Sequence, residues 1–208
     1  MLKSAVIPVI AHGGITVPNQ LLYHEPGSGK LLVLLPGLRY SCDRSVLHLI
    51  RAMALQHGFD VLSLQYGFQS GGQRPTDEEL LAEITAAFTA VMGRGYGEVC
   101  FVGKSMGSPL AMALTRAAQV PHVSAILLTP LPEVLGPVDG IRALAIIGTA
   151  DPVYAMPECR DSRQRADMEW LVLEDLDHGL EVNGDWRRSI AALPQIIAAC
   201  ERFLTPSA

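Results

Sequence analysis

The sequence has 208 residues, of which 49% are hydrophobic and 18% are charged, and its formal net charge is −5 at pH 7. This length suits one domain with a sizeable core, and the composition excludes an intrinsically disordered chain. An acidic balance without a basic cluster argues against nucleic acid as a partner.

The N-terminal region predicts two strands, Ala5–Ile10 and Ile15–His24, joined by a turn at Gly13-Gly14. Each strand contains one proline, Pro8 in the first and Pro18 in the second. Because proline lacks the N–H that a central strand must donate, we place both strands at an edge of the sheet.

The next segments alternate between aliphatic strands and helical patterns. Leu31–Leu35 is an unbroken aliphatic run, which is typical of a strand covered on both faces. A helix is predicted from about Arg44 to Gln56, with Asp43 as its N-cap, and Val61–Leu64 is the next strand. A second amphipathic helix is predicted over Thr76–Met92.

A polar, glycine-rich loop precedes that second helix. Thr76 and Glu79 have the spacing of a capping box at its start. We expect Tyr66, Phe68 and Gln69 to belong to an exposed loop rather than to the rim of a site.

A serine stands at a sharp junction between a strand and a helix. Val99–Val102 is a buried strand, and an apolar helical run follows from Leu110 to Ala118. Between them, Ser105 is flanked two residues away on each side by a glycine, Gly103 and Gly107. This is the G-x-S-x-G pattern of a nucleophile elbow, in which the flanking positions tolerate only very small residues.

A phosphate-binding loop is the rival interpretation of the same Gly-Lys-Ser segment. That motif needs a glycine at the position of Glu98, and a flexible loop of exposed amides in place of the apolar strand Val99–Val102. The elbow is therefore the favoured interpretation.

The C-terminal half continues the alternation. Strands are predicted at Ala125–Leu128, Ala143–Ile147 and Trp170–Leu173, and helices at Pro157–Ala166 and Trp186–Phe203. The alternation predicts an α/β fold of three layers: a mostly parallel sheet with helices on both faces and an antiparallel N-terminal edge. We expect one domain over residues 1–208.

A hydroxyl, a carboxylate and an imidazole each follow a predicted strand. They are Ser105, Asp151 and His178, in that order along the chain. A serine needs a base within hydrogen-bond reach, and that base needs an orienting carboxylate. Asp151 has a second interpretation as the cap of the next helix, and Asp175 and Asp177 are further candidates for the acid because they stand close to His178.

These motifs resemble those of the α/β-hydrolase superfamily, in particular of small lid-less members similar to dienelactone-hydrolase-like esterases. The resemblance implies that Ser105 is the nucleophile, His178 the base and Asp151 the orienting acid. It also implies an oxyanion hole of two backbone N–H groups, from Met106 and from Leu38, with Arg39 as the alternative to Leu38.

The resemblance predicts a serine hydrolase that acts through an acyl-enzyme and needs no metal or organic cofactor. Pro130–Gly140 leaves no room for a substantial lid, which favours a small soluble ester, thioester or lactone as substrate. Arg39 and Tyr40 are candidate substrate-binding residues. The alternative is a catalytically silent binding or scaffold module of the same fold.

Scattered cysteines and the absence of a long apolar run predict a cytoplasmic protein without a membrane partner. The four cysteines, Cys42, Cys100, Cys159 and Cys200, have no metal-ligand spacing. The expected partner is a small-molecule substrate, and the oligomeric state stays open.

Overall fold

The computed structural model describes residues 1–138 and 140–205, and within them one sheet of eight strands has the order β1-β2-β4-β3-β5-β6-β7-β8. β1 and β2 are antiparallel, β2 is also antiparallel to β4, and all other neighbours are parallel. The strands are β1 (Leu2–Ile10), β2 (Thr16–His24), β3 (Lys30–Leu35), β4 (Asp60–Ser63), β5 (Glu98–Lys104), β6 (His122–Leu128), β7 (Arg142–Gly148) and β8 (Glu169–Leu173).

Helices cover both faces of this sheet. The α-helices are α1 (Ser45–Gln56), α2 (Asp77–Met92), α3 (Gly107–Ala117), α4 (Pro157–Gln164) and α5 (Trp186–Leu204), and short 3-10 helices lie at Gly67–Ser70, Pro132–Val134 and Pro152–Ala155. On one face, α1 and α5 pack over a single apolar cluster, and on the other face α2 and α3 pack over a second cluster. The predicted three-layer fold with an antiparallel edge is confirmed.

The central strand β3 is apolar throughout because both of its faces are covered by helices. Leu32 and Leu34 face the cluster beneath α1 and α5, whereas Leu31, Val33 and Leu35 face the cluster beneath α2 and α3. Because successive side chains of a strand point to opposite faces, a strand between two helical layers must be apolar throughout.

The two proline-containing strands differ in position from each other. β1 forms the edge of the sheet as predicted, but β2 lies one strand further in, between β1 and β4. Pro8 and Pro18 are directly opposite each other in the β1–β2 register. Pro18 is tolerated inside the sheet because β2 pairs with β4 only over Gln20–Leu22.

The start of α1 corrects one prediction. Asp43 does not cap the helix, because Arg44 occupies the N-cap position and makes no side-chain capping bond. The Asp43 carboxylate instead accepts a hydrogen bond from Arg51, at 3.0 Å. The capping box at α2 is confirmed: the Thr76 hydroxyl accepts from the Glu79 N–H, and the Glu79 carboxylate accepts from the Thr76 N–H.

Two further helix boundaries differ from the sequence pattern. α3 begins at Gly107, earlier than predicted, so that the elbow leads directly into the helix and Pro109 falls in its first turn, where proline is accepted. α4 ends at Gln164 rather than at Ala166. Among the helices of residues 1–138 and 140–205, none combines the length and apolar character needed to cross a membrane.

Candidate active site

The elbow holds Ser105 in a left-handed backbone conformation, with φ at 52°. Its N–H donates to the carbonyl of Leu128 at 2.9 Å, which ties the turn to the end of β6. A Cβ on Gly103 would lie 2.3 Å from the Gly107 carbonyl oxygen, and one on Gly107 would lie 2.3 Å from that of Leu35. Both glycines are therefore required by close backbone approach, as the G-x-S-x-G pattern predicts.

The structure brings together three side chains that the sequence placed in the candidate triad. The Ser105 Oγ lies 2.7 Å from His178 Nε2, and His178 Nδ1 lies 2.8 Å from Asp151 Oδ2. The Asp151 side chain is fully buried, whereas that of His178 is 40% exposed. The imidazole therefore lies between a buried carboxylate and the serine hydroxyl.

The two carboxylate oxygens of Asp151 have different partners in the structure. Oδ2 contacts His178, while Oδ1 accepts a hydrogen bond from the Val153 N–H at 2.9 Å and caps the following 3-10 helix. The rival carboxylates are occupied elsewhere. Asp175 pairs with Arg188 at 2.7 Å, and Asp177 accepts from N–H groups of its own loop.

The loops that carry Asp151 and His178 are in direct backbone contact. The Ala150 N–H donates to the Leu176 carbonyl at 3.0 Å, and the Thr149 hydroxyl accepts from the Asp175 N–H at 2.9 Å. A Cβ on Gly148 would lie only 1.9 Å from the Leu176 carbonyl oxygen. Glycine at position 148 therefore allows the loops of Asp151 and His178 to approach each other.

The loop after β3 distinguishes the two candidate oxyanion donors. The Arg39 N–H donates to the side-chain oxygen of Gln69 at 2.8 Å, and the Gln69 amide nitrogen donates to the Gly37 carbonyl at 3.1 Å. Within the described residues, the N–H groups of Leu38 and Met106 have no hydrogen-bond partner. Of the two alternatives, Leu38 therefore has the available donor.

Gln69 gives no local signal of this contact in the sequence. It belongs to the 3-10 helix Gly67–Ser70, in the loop predicted to be merely exposed. Only the return of the chain beside the loop after β3 brings its side chain to Gly37 and Arg39.

The side chains of Arg39 and Tyr40 have different surroundings in the structure. The exposed Arg39 lines a cavity of about 330 Å³ together with Arg44 and Gln69. The Tyr40 ring lies 5.1 Å from the ammonium of Lys104, and its hydroxyl is buried. Contact of either residue with a substrate stays a prediction.

A more apolar cavity of about 410 Å³ lies beside the elbow, between α2 and α3. Its wall includes the side chain of Met106, the residue directly after Ser105. Acidic side chains of Asp77, Glu78 and Glu133 also line it, together with Arg74. The apolar part of the wall includes Phe68, Leu81, Met106, Pro109, Leu110 and Leu131.

The described residues carry buried thiols but no metal-ligand cluster. The four cysteines are free and buried, and burial raises the pKa of the Cys42 and Cys100 thiols to about 12. Over the part of the chain that the structure describes, His, Cys, Asp and Glu side chains form no cluster of three or more suited to a metal ion.

Comparison with known families identifies the family of this fold. The model of the alpha/beta hydrolase family matches residues 32–208. The chain belongs to the alpha/beta hydrolase family. The matched region includes every residue of the candidate triad and both candidate oxyanion donors. No curated protein sequence matches the chain.

Solved structures of other alpha/beta hydrolases share the fold at low sequence identity. A lid-less serine hydrolase from Xanthomonas campestris is 16% identical, with a TM-score of 0.70 over 99% of this chain and 97% of its own. A dienelactone hydrolase from Anabaena variabilis is 15% identical, with a TM-score of 0.73 and coverages of 98% and 97%. An esterase from Pyrococcus furiosus is 15% identical, with a TM-score of 0.74 and coverages of 98% and 92%.

Proposed function

We propose that this protein is a serine hydrolase that cleaves a small soluble ester, thioester or lactone. The observation that carries the proposal is the continuous series of contacts from Ser105 Oγ through the His178 imidazole to the buried Asp151 carboxylate. A lone serine hydroxyl is a weak nucleophile, and this arrangement supplies both a base and a group that orients it.

In the proposed reaction, Ser105 Oγ attacks the substrate carbonyl carbon while His178 Nε2 takes the hydroxyl proton. Asp151 holds the imidazole in the required tautomer and stabilises its charged form. The carbonyl oxygen becomes an oxyanion that accepts hydrogen bonds from the N–H groups of Met106 and Leu38. Its collapse expels the alcohol or thiol, which takes the proton from His178, and leaves an acyl group on Ser105.

Water completes the cycle by the same steps. His178 removes a proton from the water as it attacks the acyl carbon, and returns that proton to Ser105 Oγ when the acid leaves. Every group in these steps is a side chain or backbone amide of this chain, so the proposed mechanism uses neither a metal nor an organic cofactor.

The cavity beside Met106 supports an apolar group of limited size on the substrate. The connection between β6 and β7 holds one 3-10 helix, Pro132–Val134, rather than a large insertion. We propose a single domain without a substantial lid, which disfavours long acyl chains. The shared fold with a serine hydrolase without a lid supports the absence of a substantial lid.

We further propose a cytoplasmic setting for this enzyme. The reduced, buried state of all four cysteines supports a reducing compartment. A small-molecule substrate is the expected partner, and the proposal requires neither nucleic acid nor a membrane.

The first prediction concerns Ser105. Ser105→Ala should abolish hydrolysis of short p-nitrophenyl esters, with kcat lower by about 10⁴-fold or more, because the nucleophile is absent. A fluorophosphonate probe should label wild-type protein at Ser105, and His178→Ala should suppress that labelling. A series of p-nitrophenyl esters of increasing acyl length would measure what the cavity accepts.

Ser4→Ala is the matched control, because it removes an exposed serine of β1, at the far edge of the sheet from the triad. It should keep both labelling and turnover. Undiminished turnover by folded Ser105→Ala would contradict the proposal. Absence of labelling in folded wild-type protein would favour the silent binding module instead.

A further inference from the structure

Lys104, the residue before the candidate nucleophile, is buried, with only 2% of its surface exposed. Its ammonium donates hydrogen bonds to the Thr129 hydroxyl at 2.5 Å and to the backbone carbonyl of His178 at 2.6 Å. Lys104 ends β5, Thr129 follows β6, and His178 lies in the loop after β8. One side chain therefore joins the elbow to the loop of the candidate base.

Burying the Lys104 ammonium costs free energy of desolvation, so a lysine at this position calls for an explanation. Burial lowers the pKa of Lys104 to about 8, although the Asp151, Asp177 and Glu181 carboxylates oppose that shift. An apolar side chain of similar volume would fill the same space without the cost of desolvating a charge. Packing alone therefore does not explain a lysine at this position.

Backbone hydrogen bonds hold the loop on either side of His178, and Lys104 adds a contact at His178 itself. His178 lies outside any helix or strand, and its imidazole is 40% exposed. The Asp151 carboxylate orients the ring through Nδ1, but it does not hold the main chain of His178. The Lys104 ammonium holds that main chain through its carbonyl oxygen.

We propose that Lys104 is a positioning residue that holds the backbone of His178 so that Nε2 stays within hydrogen-bond distance of Ser105 Oγ. The proposal rests on the proposed function, because it assigns His178 the part of the base. Displacement of catalytic groups by about 1 Å can lower a rate by about 100-fold. Lys104 therefore affects turnover without touching the substrate.

The test compares Lys104→Met, which keeps a similar volume but loses the donors, with Lys104→Arg, which keeps both donors and charge. In Lys104→Met, kcat and the rate of fluorophosphonate labelling should both fall about 10- to 100-fold, while KM changes less than about twofold. Lys104→Arg should keep kcat within about tenfold of wild type. The free energy of unfolding of Lys104→Met is measured beside kcat, because the substitution removes a desolvated ammonium and also takes a positive charge away from the buried Asp151 carboxylate.

Proton NMR supplies a readout that does not depend on turnover. The downfield Nδ1 proton that His178 shares with Asp151 should be visible in wild type and Lys104→Arg, and should be broadened by solvent exchange in Lys104→Met. A merely structural lysine would lower stability and leave this resonance unchanged in the folded fraction.

The outcomes separate the two proposals. If wild-type Ser105 is not labelled, the proposed function fails, and the Nδ1 resonance still decides the positioning role. If folded Lys104→Met matches wild type in kcat, labelling and resonance, the positioning role is wrong. If Lys104→Met does not fold, Lys104→Arg decides: retained labelling supports the role, and lost labelling in a folded variant overturns it.

Discussion

At the scale of single residues, the turn after β3 selects which amide is available to a substrate. Arg39 has a φ of 56°, and its N–H is bound by Gln69. The Tyr40 N–H donates to the Gly37 carbonyl at 3.2 Å and closes the turn. In the four-residue turn Gly37–Tyr40, Arg39 is the third residue and Leu38 the second. A positive φ at the third residue of such a turn favours proline at the second.

This geometry allows a substitution that removes one N–H and little else. Leu38→Pro should lower kcat about 100-fold, because it deletes an oxyanion donor while its ring fits the turn. The loss should appear in kcat rather than in KM, since the bond is strongest in the transition state. Steady-state kinetics on a short ester measure both constants.

Leu38→Ala is the control, because the Leu38 side chain is 57% exposed and alanine keeps the N–H. Its kcat should stay within about twofold of wild type, and its free energy of unfolding within about 0.5 kcal/mol. An unimpaired kcat in Leu38→Pro would remove Leu38 from the oxyanion hole.

At the scale of elements, the site depends on how closely the loops after β7 and β8 approach each other. β7 and β8 are parallel neighbours, so both loops leave the same edge of the sheet. The carbonyl of Leu176 accepts from the Ala150 N–H and occupies the space where a side chain at position 148 would begin. The Asp151–His178 contact therefore depends on Gly148.

Gly148→Ala should separate these two loops. Because its Cβ would meet backbone rather than a flexible side chain, we expect a loss of about 3 kcal/mol in the free energy of unfolding. In the fraction that stays folded, kcat should fall about 100-fold, since a displacement of about 1 Å is enough for such a loss. Urea unfolding and ester kinetics measure the two effects.

Gly93→Ala provides the comparison at the end of α2. Its backbone has a helical φ of −59°, and a Cβ there would meet nothing within 4 Å. Stability should stay equal or rise slightly, because alanine is the better helix former. Equal behaviour of the two glycine variants would show that the loop contact does not matter.

At the scale of the whole molecule, buried titratable groups make the free energy of unfolding depend on pH in two opposite directions. Burial raises the pKa of Cys100 to about 12, so the folded protein keeps a proton that the unfolded chain releases above about pH 9. This contribution to stability is lost as pH rises. Burial lowers the pKa of Lys104 to about 8, so its contribution increases between pH 8 and 10.5.

Cys100→Ala should therefore make the protein less sensitive to alkali. In wild type, the Cys100 thiol lowers the free energy of unfolding by about 1.4 kcal/mol for each pH unit above 9. Between pH 8 and 10.5, the total decrease should therefore be about 2 kcal/mol smaller in Cys100→Ala than in wild type. In Lys104→Met, the free energy of unfolding should fall more steeply than in wild type over the same pH range, because the opposing contribution of Lys104 is absent. Urea titrations at both pH values under reducing conditions measure the difference, and parallel pH profiles would contradict this origin.

Local patterns in the sequence determined most of the fold. Aliphatic runs such as Leu31–Leu35 predicted the central strands, the Thr76–Glu79 capping box marked the start of α2, and paired glycines marked the elbow, because each pattern is a property of neighbouring residues. Asp43 shows the limit of such patterns. Its side chain suits a cap, but it bonds instead to Arg51, eight residues later in the chain.

Order along the chain, together with the family resemblance, predicted Ser105, Asp151 and His178 as a candidate triad, and the structure places these three side chains in contact. Parallel strands place the loops that follow them at one edge of the sheet. Only the tertiary structure decided that Gln69 occupies the Arg39 amide and leaves that of Leu38 available. It alone brought Lys104 to a carbonyl 74 residues later in the chain. Such contacts depend on how loops that are distant in sequence pack against each other. Local sequence patterns therefore cannot predict them.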